Sequence, residues 1–215
     1  MITNERMIAY INSLESPESP ICETIRKEAL AGMVPIIRSE TASLLKFFIR
    51  LTKPMRILEV GTAVGYSAIL MSEYMPEEAH ITTIEKYEPR IPIAKENFRR
   101  AGKEKVITLL EGDATEILHS LEGSYDLIFM DAAKGQYIHF FPDVMRLLAL
   151  GGLLISDNIL QDGDIIESRF AVTRRNRTIH SRMREYLYIL KHTPELQTAV
   201  IPIGDGVAVS TKQCN

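Results

Sequence analysis

Asp131 and the pair Asp157-Asn158 each follow a short apolar run, Asp126 to Met130 and Gly152 to Ser156. Two carboxylates and a carboxamide just past the ends of two predicted strands can converge on a divalent cation. Hard oxygen donors of this kind suit magnesium, calcium or manganese better than zinc. Lys134 stands three residues after Asp131, where an amine could accept or relay a proton. The pattern reads as enzyme chemistry.

A second group lies earlier in the chain. Glu59-Val60-Gly61-Thr62-Ala63-Val64-Gly65-Tyr66-Ser67 follows an apolar run and opens a helical pattern, so its glycines permit a tight turn and close approach of a ligand to the backbone. A dinucleotide loop would read G-x-G-x-x-G, whereas here Gly61 and Gly65 bracket three residues and an acid precedes the first. That difference favours S-adenosylmethionine, which has no pyrophosphate to cradle and carries a sulfonium and an ammonium that an acidic lining attracts. Glu85 closes the next run, where a carboxylate can accept from ribose hydroxyls. Glu111-Gly112-Asp113-Ala114 places a carboxylate and a backbone N–H where they could meet an adenine.

These residues need strand ends to hold them. From Arg56 onward short apolar runs alternate with helical patterns, the signature of an α/β fold with a parallel sheet covered by helices. Predicted strands are Arg56 to Val60, His80 to Glu85, Val106 to Leu110, Asp126 to Met130, Gly152 to Ser156, Thr198 to Pro202 and Val207 to Ser210. Only Ile203-Gly204-Asp205-Gly206 separates the last two; so short a link permits a hairpin but no parallel crossover, so one antiparallel strand is expected near the C-terminus. Residues 1–51 read as a helical addition, with Leu44, Leu45, Phe48 and Ile49 on one face of a helix from Ser39 to Leu51. A further helix is predicted from about Asn176 to His192. The whole of 1–215 reads as one domain, with its sheet core in 56–211.

Bulk properties exclude little. With 25 Lys and Arg against 28 Asp and Glu, net charge gives no global nucleic-acid footprint, although a local patch is open. Cys22 and Cys214 form no C-x-x-C pair, so neither a disulfide framework nor a thiolate metal site is supported, and a reducing cytoplasm fits. No secretory pattern opens the chain and no apolar run approaches membrane-span length. The five histidines are scattered, and no G-x-S-x-G elbow suggests a hydrolase.

Taken together, the acidic glycine loop, the strand-end Glu85, Gly112-Asp113-Ala114 and Asp131 resemble the cation-dependent class I O-methyltransferases of the catechol and caffeoyl-CoA type, over essentially the whole chain. The resemblance implies a Rossmann-like methyltransferase fold with seven strands and N-terminal helices. It implies S-adenosylmethionine contacts at Ile37, Glu59, Gly61, Ser67, Glu85, Asp113, Ala114 and Asp131, and a metal set of Asp131, Asp157 and Asn158. Lys134 and Asp131 are then catalytic, and a homodimer is expected. Asp131 to Tyr137, Arg174-Arg175-Asn176-Arg177 and the tail from Gln197 to Gly206 further resemble the bacterial branch that methylates 5-hydroxyuridine at the tRNA wobble position.

That branch implies a tRNA anticodon stem-loop as partner, its phosphates gripped by Arg174, Arg175 and Arg177. The chain has no Trp, whereas catechol-type enzymes wall their substrate with one, and Ala132-Ala133 leaves a small, open rim. The alternative acceptor is a small aromatic diol or a caffeoyl-CoA-like hydroxyl. A binding module without turnover has no need of the acidic set.

Overall fold

The computed structural model describes residues 4–213. Three helices precede the sheet: α1 Glu5–Ser13, α2 Pro20–Ala31 and α3 Ser39–Thr52. Side chains start the first two, Asn4 accepting from the Arg6 N–H and Ser19 from the Cys22 N–H, with Pro20 pre-set for the first turn of α2. Cys22, Ile25 and Ala29 form the buried stripe of α2, and Thr41, Ala42, Leu45 and Ile49 that of α3. Leu44 and Phe48, expected on the same face as Leu45 and Ile49, pack at its margin.

The rest alternates as expected: β1 Arg56–Val60, α4 Tyr66–Tyr74, β2 His80–Glu85, α5 Ile91–Arg100, β3 Ile107–Glu111, α6 Ala114–Ser120, β4 Tyr125–Met130, α7 Tyr137–Leu147, β5 Leu148–Ser156, α8 Arg177–His192, β6 Leu196–Ile201 and β7 Val207–Lys212. The sheet runs β3-β2-β1-β4-β5-β7-β6. All pairs are parallel except β7 with β5 and with β6. Cys22 is a buried free thiol; Cys214 lies outside the described residues. Among the described residues no helix is long and apolar enough to cross a membrane.

Boundaries move for identifiable reasons. β5 begins at Leu148, where Tyr125 pairs across a register shift, and so absorbs the Gly151-Gly152 pair. β6 stops before Pro202, whose missing N–H cannot serve the ladder. β3 sits one residue later than its pattern suggested. The antiparallel strand is last in the chain but not in the sheet: β7 inserts between β5 and β6, leaving β6 at the edge.

Helices cover both faces, one layer holding α2, α3, α4 and α5, the other α6, α7 and α8. In the second layer the Tyr137 hydroxyl donates toward the carbonyls of Met130 (2.9 Å) and Asp157 (3.1 Å), tying the exits of β4 and β5 to α7. Tyr137→Phe leaves this buried junction without its donor. It is expected to cost about 1–3 kcal/mol, read as a lower urea midpoint at unchanged slope; an unaltered midpoint would show that the junction is not under load.

Candidate active site

The C-terminal ends of β1, β2, β3, β4 and β5 all open on one side, and the sheet order reverses between β1 and β4. An open α/β sheet binds ligands at that crevice. There a cavity of ≈1010 Å³ is bounded by residues 35–37, the loop after β1, the turns after β2 and β3, and residues 131–134 with Gln136 and Asn158. Ile37, Gly61, Ser67, Glu85, Asp113, Ala114, Asp131, Lys134 and Asn158 all line it. Nine residues singled out along 122 positions of chain thus meet at one opening.

The glycine loop is held by contacts that leave its backbone exposed to a ligand. Gly61 has φ +109, and a β-carbon there would collide with the Asp131 carbonyl; only glycine lets the loop after β1 touch the loop after β4. Glu85 accepts from the backbone N–H groups of Ala63 and Tyr87, each at 2.7 Å, so one carboxylate joins two walls. Asp113 caps α6 through the Thr115 N–H (2.9 Å) and accepts from the Lys86 ammonium at 2.6 Å. Lys86 first, then the Thr115 N–H, hold its carboxyl down at about 2. An adenine amino group would share Asp113 with these partners.

Glu59 departs from the expected direct contact. It is fully buried behind the cavity wall and accepts from the hydroxyls of Ser67 and Thr83. Ser67 itself lines the cavity. Burial pushes the Glu59 carboxyl up to about 7, against the lowering effect of those hydroxyls.

The acidic pair sits on the far wall. Asp131 is half-buried and Asp157 is 2 % exposed. Asn158 has φ +57, a left-handed conformation asparagine tolerates; it points its amide N–H to Asp131 at 3.1 Å while its backbone N–H reaches Asp157 at 2.7 Å. Thr41 of α3 donates to the same Asp157 oxygen at 3.3 Å. Burial first, then the charge of Asp131, push Asp157 up to about 7, and burial raises Asp131 as well. Two carboxylates that disfavour each other's ionisation, with a carboxamide between them, are a donor set suited to a hard divalent cation. The cluster contains two acids; among the described residues no group of three His, Cys, Asp or Glu side chains gathers.

Lys134 lies in the short turn Lys134–Gln136 and donates to Asp205 at 2.8 Å. Asp205 and Thr41 went unassigned in the sequence. Thr41 has no local signal, while an acid between two glycines in a hairpin turn offered one. The arginines do not line the cavity. Arg174 and Arg175 are exposed with no carboxylate paired to them among the described residues, but Arg177 is half-buried and spends its guanidinium on the carbonyls of Val172 and Phe170, each at 3.3 Å.

The O-methyltransferase family profile matches residues 12–213. This chain belongs to the O-methyltransferase family. Its similarity lies within the catechol and caffeoyl-CoA branch of the S-adenosylmethionine-dependent enzymes. It is 34% identical over 145 residues to a catechol O-methyltransferase of Niastella koreensis, covering 65% of each chain. A Staphylococcus aureus structure carrying a caffeoyl-CoA O-methyltransferase name superposes with TM-score 0.86 at 33% identity, over 97% of this chain and 98% of that one. The S-adenosylhomocysteine-bound methyltransferase PaMTH1 of Podospora anserina superposes with TM-score 0.87 at 26% identity, over 99% and 97%.

Glu59 gives this O-methyltransferase a pH signature. Its native carboxyl keeps a proton between pH 4.5 and about 7 while the unfolded chain releases it, so the ligand-free protein loses stability as pH rises through that window and levels off above it. Glu59→Gln removes this cost: its urea midpoint should exceed that of the parent at pH 8 by the equivalent of up to about 3 kcal/mol, the gap closing toward acid pH. A gap that does not vary with pH would rule out an ionisation origin.

Proposed function

We propose that this O-methyltransferase moves the methyl group of S-adenosylmethionine to the 5-hydroxyl of 5-hydroxyuridine in tRNA, giving 5-methoxyuridine, with a divalent cation held by Asp131, Asp157 and Asn158. The observation that carries the methyl-transfer half is the Gly61 to Asp131 contact. It sets the wall suited to a cationic methyl donor directly against the acidic wall suited to an acceptor.

In this reading Glu85 accepts from the ribose hydroxyls, and Ala114 offers its backbone N–H to the adenine. Ile37 closes over the donor from the α3 side, and Ser67, backed by the carboxylate of Glu59, favours its positive end. Bound between the two carboxylates and Asn158, a cation such as magnesium would supply Lewis acidity toward the acceptor hydroxyl. Lys134, at the cavity rim, meets that hydroxyl and relays the proton it loses to solvent water. The acceptor oxygen forms a bond to the methyl carbon as the carbon–sulfur bond breaks, releasing S-adenosylhomocysteine in a single displacement. Proximity and orientation supply most of the acceleration.

A polymer acceptor is supported by the segment after Asn158. Arg169, Arg174 and Arg175 are exposed with no carboxylate paired to them among the described residues, and Ile166 and Phe170 are each 82 % exposed among them. Exposed guanidinium groups on the same segment as an exposed aromatic ring suit phosphates and an unstacked base. The small Ala132-Ala133 rim leaves room for the rest of a nucleotide. The second reading, a small catechol-like or caffeoyl-CoA-like acceptor, is favoured by the names of the relatives and needs the same acidic wall.

Two experiments test this. Purified protein is incubated with S-adenosylmethionine and magnesium against tRNA bearing 5-hydroxyuridine and, separately, a catechol, with methylation read by mass. Turnover should appear with tRNA and vanish both with chelator and in Asp131→Ala; product confined to the catechol overturns the tRNA acceptor, and chelator-resistant turnover overturns the cation. Replacing Arg169, Arg174 and Arg175 together with Gln should raise the tRNA KM about tenfold and flatten its salt dependence with kcat kept. An unchanged salt slope would remove these arginines from the phosphate contact.

A further inference from the structure

Asp205 belongs to no group that the sequence motifs assign, yet it joins the Lys134 turn to the segment that follows Asn158. Its side chain, 2 % exposed, has both carboxylate oxygens occupied: Oδ2 accepts from the Lys134 Nζ at 2.8 Å and Oδ1 from the Asp162 backbone N–H. Its own carbonyl accepts from the Leu160 N–H at 2.9 Å, and the next carbonyl, that of Gly206, from the Ile159 N–H at 3.1 Å. The β6–β7 turn is thereby fastened to the segment leaving Asn158, and the Lys134 turn after β4 is fastened to it through one ion pair. Glycine at 206 is required for this fit, since φ is +82 and any β-carbon would collide with the Leu160 side chain.

The pairing is asymmetric. Asp205 is sealed from solvent, whereas the Lys134 side chain is 33 % exposed and faces the cavity. A long lysine chain in a loop otherwise samples many rotamers. A buried carboxylate that is itself pinned by a backbone N–H gives the amine one anchored position.

We propose that Asp205 is a positioning residue for methyl transfer, which acts by holding the Lys134 amine at the acceptor wall and makes no contact with substrate. This rests on the assignment of Lys134 to the acceptor hydroxyl given above. An Asn at 205 matches Asp in size but presents one acceptor and one donor in place of two acceptors. It can satisfy the Asp162 N–H or Lys134, not both.

The expected result for Asp205→Asn is a fall in kcat of about 10²-fold, the scale of a misplaced group, with the S-adenosylmethionine KM kept. Lys134→Met should show a similar fall, and the double variant should be no slower than Lys134→Met alone, because Asp205 acts through the amine. A readout independent of turnover is acetylation of the ligand-free protein with an N-hydroxysuccinimide acetate, followed lysine by lysine by mass spectrometry. Lys134 should acetylate several times faster in Asp205→Asn while the other lysines keep their rates.

Losses that multiply in the double variant, an unchanged Lys134 acetylation rate, or an unchanged kcat would each overturn the proposal. Asp205→Glu keeps both acceptors and decides the matter if Asp205→Asn does not fold. It should leave Lys134 protected but displaced, with kcat lowered; kcat equal to that of the parent overturns the positioning role. The kinetics use whichever acceptor is turned over, and the acetylation uses none, so failure with tRNA leaves this inference decidable on its own.

Discussion

The α-carbon of Gly61 rests against the carbonyl of Asp131, and the arrangement of the site depends on that contact. β1 and β4 are neighbours in the sheet, and the Asp131 N–H donates to the Val60 carbonyl at 3.0 Å, so the two loops leave their strands already in touch. A β-carbon at 61 would collide with that oxygen, so the two loops would have to part by about 1 Å to accept it. A misplacement of that size is enough to slow a displacement between groups held on the two loops. Placing this contact where the sheet order reverses makes the two loops diverge on either side of it, which opens the cavity.

Electrostatics gives the same end of the sheet its selectivity. Glu59, Asp131 and Asp157 are gathered there, and burial holds each carboxyl above its usual value. Among the described residues no basic side chain is hydrogen-bonded to any of the three. Lys134, the nearest candidate, lowers Asp131 only at a distance and gives its hydrogen bond to Asp205. Charging any of the three is therefore costly in the ligand-free protein, and a positive ligand would offset that cost. An anionic dinucleotide would add to it, which agrees with the absence of a dinucleotide glycine pattern.

Much of this was legible along the chain because the decisive residues stand at strand ends, and strands declare themselves by period and by flanking glycines. Glu85, Asp131 and Asp157 were found this way, and the site gathers them. Partnerships across long separations were not legible. Lys134 and Asp205 are 71 positions apart, and nothing local to either predicts the other. Thr41 reaches Asp157 from a helix read only as packing. Arg177 looked equivalent to Arg174 and Arg175 in composition, yet it starts α8 and is turned back onto the carbonyls of its own loop. Glu59 is the reverse case: its place at the strand end was legible, but not that its side chain turns into the interior, where Ser67 and Thr83 bond to it.

The position of β7 explains why a hairpin belongs in this sheet. β6 runs parallel to the core strands, so the turn that follows it emerges at the same end as the site. Had β6 lain directly beside β5, the residues leading into β7 would stand a strand spacing farther out, about 4.8 Å. Because β7 takes the place next to β5, Ala208 pairs with Ser156, and the residues just before it run alongside those just after Ser156. The ladder continues beyond the sheet as the Gly206 and Asp205 carbonyls meet the N–H groups of Ile159 and Leu160. Asp205 reaches across β5 to Lys134 only from that place. The antiparallel insertion is thus the feature that lets a connecting loop brace the Lys134 turn from behind.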